Sequence, residues 1–141
     1  MTVNNTIAQL KERLGKDRND IEAATSLGNI YYDNGDAEQA ILHYGFVLAI
    51  NPNLPGVQTD MGTMYWRNNN MNLAEKAFRD AIACDSGFGH AYLNLGLLLH
   101  RGKSDITGAR AVWQQLLDIN PSHAVAAKIR EQLQATAALA N

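Results

Sequence analysis

Three prolines and a single cysteine in 141 residues set the first limits on this chain. With Cys84 alone, no internal disulfide can form and no cysteine pair can hold a metal, so an apolar core must supply the stability. A reducing compartment suits such a chain without being required. Runs of one charge are also missing. Twelve Lys and Arg stand against 14 Asp and Glu, for a formal charge of -2 and a sequence pI of about 6.0. Because the charges are scattered, no stripe tracks a phosphate backbone, and nucleic acid is not an expected partner. No window of about 18 apolar residues occurs, so direct membrane insertion is not expected. Met1 to Leu10 lacks a basic region followed by an apolar stretch. The expected location is therefore cytoplasmic, although the soluble part of an exported or membrane-anchored parent would read the same.

Catalytic patterns are equally scarce. Gly87-Phe88-Gly89 has neither the further spaced glycine nor the preceding strand of a phosphate-binding loop, and reads as a turn. His43, His90, His100 and His123 include no pair three or four apart that could face one metal, so surface or groove positions are expected for them. Nothing resembles a nucleophile elbow. No enzymatic activity, metal or cofactor is implied.

What the sequence does have is apolar residues, 46% of the chain, arranged in a repeat. Leu27-Gly28, Tyr31, Ala40, Tyr44 and Pro52 are matched 34 residues later by Met61-Gly62, Tyr65, Ala74, Phe78 and Ser86. A further shift of 34 reaches Tyr92, Leu95-Gly96 and Leu99, and after one extra residue, assigned to the turn, come Ala109, Trp113 and Pro121. Within each unit the large residues recur at helical spacing and the phase then resets, which predicts two helices per unit. Asn34-Gly35, Asn68-Asn69-Asn70 and Gly102-Lys103-Ser104-Asp105 are the predicted turns, with Asp36 and Gln39 offering a reciprocal cap. Gly28, Gly62 and Gly96 are expected to let paired helices approach, with Ala40, Ala74 and Ala109 as the small residues opposite.

These residues resemble the tetratricopeptide repeat family, whose pattern runs aromatic, Leu-Gly, Tyr, then Ala, Phe and Pro. Ala24 and Gln58 replace the leading aromatic, Leu99 a Tyr, and Ser86 the Pro. The resemblance implies an all-α fold, a right-handed superhelical solenoid of three antiparallel helix-turn-helix repeats. The expected division is an N-terminal half-repeat helix over 3–18, repeats over 20–53, 54–87 and 88–121, and a capping helix over 122–140. Ile7, Leu10 and Leu14 lie 34 residues before Ile41, Tyr44 and Leu48, which assigns the first helix to an incomplete unit. Val125, Ile129 and Leu133 form the apolar stripe of a cap, since a terminal repeat would otherwise leave its apolar face in water.

In such stacks the first helices line the concave side. Away from the Leu27 and Tyr31 face lie Thr25, Asn29 and Tyr32, then Thr59, Thr63 and Trp66, then Leu93, Leu97 and His100. Tyr32, Trp66 and His100 form a column of rings, with Asp33, Arg67 and Arg101 beside it, and His90 completes the candidate groove. The charges grade from acidic at the N-terminal end to basic at the C-terminal end. Rings of this kind bury much area at small entropic cost.

Some family members hold a chaperone's C-terminal carboxylate between Lys, Asn and Arg. Asn29 fits one such place, but Thr25, Thr59 and Leu93 stand where a Lys would be needed, and the third column points to a partly apolar peptide or helix. The leading expectation is a non-catalytic scaffold or adaptor for a protein partner. A second is homo-oligomeric assembly through the groove and the terminal helix. The stretch from Ala111 to Arg130 also looks like the ends of bacterial periplasmic repeat domains that assist cytochrome c assembly, which would imply an apocytochrome tail or a membrane-complex subunit as ligand.

Overall fold

More than half of the helices begin at a side-chain cap supplied by Asp, Asn or Thr. In the computed structural model, which describes residues 2–140, eight α-helices follow one another and no strand occurs among the described residues. They are α1 (Val3–Lys16), α2 (Ile21–Asp33), α3 (Ala37–Ile50), α4 (Pro55–Arg67), α5 (Met71–Cys84), α6 (Gly89–Leu97), α7 (Ile106–Ile119) and α8 (Ala126–Ala135). Asp20, Asp36, Asn70 and Asp105 each accept a backbone N–H of the first turn, satisfying a donor that the helix itself leaves open. Asp36 takes the Gln39 N–H at 3.2 Å, while its own N–H goes to the Tyr31 carbonyl, so the reciprocal half of the expected cap is replaced by a helix-end bond.

The turns between paired helices need one left-handed residue each. Gly35 (φ 75°), Asn69 (φ 65°) and Ser104 (φ 55°) provide it, at the three predicted places. No described helix is long and apolar enough to cross a membrane.

Helices α2/α3, α4/α5 and α6/α7 are the three hairpins, and their buried faces merge into two apolar clusters. One gathers Leu10, Leu27, Tyr31 and Tyr44 with Met64; the other gathers Phe78, Tyr92, Leu95, Leu98 and Trp113 with Val125 and Ile129. Helix α1 joins the first cluster through Leu10, Ile7 and Leu14, as expected of a half-repeat.

The shared glycine permits the close approach expected of it, but a ring is what lies nearest. A Cβ on Gly28 would lie 2.6 Å from the Tyr44 ring, and one on Gly62 would lie 2.6 Å from Phe78; Gly96 faces Trp113 in the same way. The glycine thus makes room for the large ring of the second helix, which is nearer to it than the alanine of the same repeat. One ring per hairpin can then be buried completely.

Two boundaries also shift. The extra residue of the third repeat is not in the turn: it is taken up inside the first helix as a wide π-helical turn, Leu98–Gly102, which lets the apolar Leu98 and Leu99 stay buried. The capping helix starts at Ala126 rather than Ser122, because residues 121–125 form turns in which the Val125 N–H donates to the His123 Nδ1 at 3.1 Å. At its far end, Arg110 reaches the Leu133 carbonyl at 2.6 Å and the Thr136 hydroxyl at 2.7 Å, tying α8 to α7.

Candidate groove on the first helices

Helix spacing assembles the N-terminal half of the candidate site. Asn29 and Asp33 lie one turn apart on α2, and Asp60, Thr63 and Arg67 follow at three and four residues along α4, so each helix carries one polar face. The Tyr44 hydroxyl, coming through from the core, donates to the Asn29 Oδ1 at 2.7 Å. Tyr32 sits half-buried in the same place, with Asp60, Arg67, Thr63 and Asp33 as its polar neighbours.

Electrostatics there are dominated by two carboxylates. Burial, reinforced by the nearby Asp33, pushes the Asp60 carboxyl up from 3.8 to about 6. Burial first, and Asp60 second, raise the Tyr32 phenol, and burial raises that of Tyr44. Among the described residues, neither Asp33 nor Asp60 has a cation within ion-pair distance. Asp60, three before Thr63 on the same helix face, is one of the ionisable groups that the sequence offers to the groove.

The other candidates separate. Thr25 and Thr63 are half-buried and Thr59 is buried; their hydroxyls donate to Ile21, Thr59 and Pro55 carbonyls at 2.7, 3.2 and 2.8 Å, so they serve their own helices. Trp66 is half-buried and packs on the third repeat, yet it still lines a shallow hollow with Thr63 and Arg67. Arg67 and Arg101 are exposed.

Leu93 is not a groove residue: it is buried in the core that includes Val125 and Ile129, because α8 needs an apolar partner. Leu97 is half-buried against the same core. His90 is exposed but stands beside Phe88 and His123 at the α8 end, 6.1 and 6.3 Å away between ring centres, apart from Tyr32 and its neighbours. His100 falls in the π-helical turn, so the 34-residue register does not carry it into line with Trp66; its Nδ1 is buried without a partner.

His43 departs from the expectation for histidines. It is 5% exposed, its Nδ1 lies 2.8 Å from the Gln39 carbonyl, and its ring stacks on Tyr31. No group of three His, Cys, Asp or Glu that could hold a metal occurs among the described residues.

Stacked helical hairpins with a glycine under each aromatic ring define a repeat scaffold of the solenoid class. Residues 28–69 match the family model described as TPR repeat, and the fold is that of the tetratricopeptide repeat. A crystal structure of MamA aligns with a TM-score of 0.76 at 23% identity, over 82% of this chain and 67% of that one. MamA from Desulfovibrio magneticus RS-1 gives 0.76 at 17% identity, over 84% and 66%. The first TPR domain of Spaghetti (RPAP3), bound to the HSP90 peptide SRMEEVD, gives 0.69 at 23% identity, over 83% and 95%. At these identities the likeness is one of fold, and the chain spans about two thirds of the MamA structures. No curated protein matches the sequence.

Proposed function

We propose that this protein is a non-catalytic interaction scaffold that receives a peptide or helix of a partner protein along the face of α2 and α4. The observation that carries the reading is the open, polar and ring-bearing surface of Tyr32, Asp33, Asp60, Thr63, Trp66 and Arg67, whose two carboxylates lack a cation. Solenoids of this fold include one solved with a peptide bound, which supports a binding role without naming the ligand here.

The charge selects among ligands. A carboxylate tail would meet Asp33 and Asp60 head-on, and no Lys stands at Thr25 or Thr59 to offset them. A segment presenting Lys or Arg to these carboxylates, with an apolar residue against Trp66, satisfies both ends of the surface.

The terminal-helix route to self-assembly loses its apolar stripe, since Val125 and Ile129 are 3% and 0% exposed within the chain itself. The test is a pull-down from the source cell's lysate with the wild type and with a Tyr32→Ala, Asp60→Asn, Trp66→Ala variant, after circular dichroism has shown equal helicity. Partners lost only by the variant support the groove; an unchanged set of partners overturns it.

A further inference from the structure

A second surface lies between α1 and α3. Helices α1 and α3 both pack against α2 and diverge beyond it, leaving a cleft of about 330 Å³ lined by Lys11, Leu14, Gly15, Arg18 and Phe46. Gly15 has nothing within 4 Å of where a Cβ would be, and neither does Gly45 beside Phe46, so the cleft is open rather than loosely filled.

Its apolar wall continues along the helix. Leu42, Phe46 and Ile50 are 46%, 43% and 40% exposed and follow one another at intervals of four, a ridge about 12 Å long. The Phe46 ring meets His43 edge-on, with 5.6 Å between centres, so part of the ridge is braced from below.

The two charged residues that line the cleft, Lys11 and Arg18, are of one sign. Arg13 is engaged by Asp20 and Glu22, and Lys16 by Glu12. Asp17 accepts the Asn19 N–H. Lys11 and Arg18, on either side of Leu14, have no carboxylate within ion-pair distance among the described residues.

We infer that this cleft and ridge form a second docking surface, separate from the groove, for an amphipathic helix of a partner protein that sets acidic residues beside an apolar row. A ridge spaced by four packs naturally into the groove of another helix, and carboxylates flanking the partner's apolar row would meet Lys11 and Arg18. Two cations fall short of the clusters of about four to eight that hold proteins to anionic membranes. The occupant is therefore a protein segment.

The probe is a fluorescein-labelled amphipathic peptide with leucines in one row and glutamates beside it, paired with a copy in which every glutamate is a lysine. Binding to the full chain is read by anisotropy. The glutamate peptide is expected to bind at least about tenfold more tightly than the lysine peptide, with the margin shrinking in high salt. A Lys11→Glu, Arg18→Glu variant should reverse that preference, and Gly15→Leu, which fills open space, should block binding while circular dichroism stays unchanged.

Trp66→Ala, in the groove, should leave the affinity as it was. Equal binding of the two peptides, an unreversed preference in the charge variant, or loss of binding in Trp66→Ala would overturn the inference. So would a concentration-dependent dimer in sedimentation that Phe46→Ser abolishes, since the face would then belong to a second copy.

Discussion

A carboxyl that is partly withdrawn from water beside a second carboxyl holds its proton more tightly in the folded chain than in the unfolded one, and Asp60 is in that position. Because the folded state then binds the proton more strongly, stability falls as pH rises from 3.8 to about 6, and stays lower above. Asp60→Asn should remove this slope and stabilise the protein at pH 7 by about 1 kcal/mol, a figure reduced for solvent screening. Urea unfolding at pH 4.5 and 7 checks it. Glycines divide at the same scale. Gly62→Ala would drive a methyl into the Phe78 ring and should cost about 1–3 kcal/mol. Gly45→Ala meets open space in the middle of α3 and should gain about 0.5–1 kcal/mol. Thermal melts of the two variants should move in opposite directions. The sequence marks Gly62 and its two equivalents by their register, but not the ring each accommodates, because spacing along one helix says nothing about which side chain of the next helix lies across from it.

Among the elements, α8 carries a disproportionate role for ten residues. Ile129 is fully buried in the cluster that holds Trp113 and Leu93, so Ile129→Ala should cost about 2–4 kcal/mol and expose the third hairpin first. Arg110→Ala would release the Leu133 carbonyl and the Thr136 hydroxyl, at a cost of about 1–2 kcal/mol. Hydrogen exchange should then speed up in α8 well before α2 or α3. The stripe at Val125, Ile129 and Leu133 was legible as a cap from its spacing. That it would take Leu93 out of the groove was not, since the same apolar residue on a first helix serves equally well facing a ligand or facing a neighbouring helix. The π-helical turn at Leu98–Gly102 was hidden for a related reason: one extra residue can be absorbed in a loop or in a helix, and only the burial of Leu98 and Leu99 decides between them.

Across the whole molecule, carboxylates and cations without ion-pair partners stand at separate places. The groove has unpaired carboxylates at Asp33 and Asp60, while the cleft between α1 and α3 has unpaired cations at Lys11 and Arg18. If a cationic segment occupies the groove, it favours the ionised form of Asp60, so its affinity should rise with pH through about 6 and its binding should release a proton. Calorimetry of a groove-bound partner in buffers of different ionisation enthalpy measures that release directly.

The sequence by itself determined the period, the number of hairpins, the places of the turns and the apolar stripe that marks each repeat. Those properties follow from the spacing of apolar, glycine and capping residues along a single chain. Only the tertiary structure decided which first-helix residues remain open, that His43 and Leu93 belong to the core, that the third repeat widens its helix, and that α1 and α3 part to leave a cleft. Each of these depends on what packs across from a residue, and neighbours brought together from distant repeats are not encoded in any local spacing.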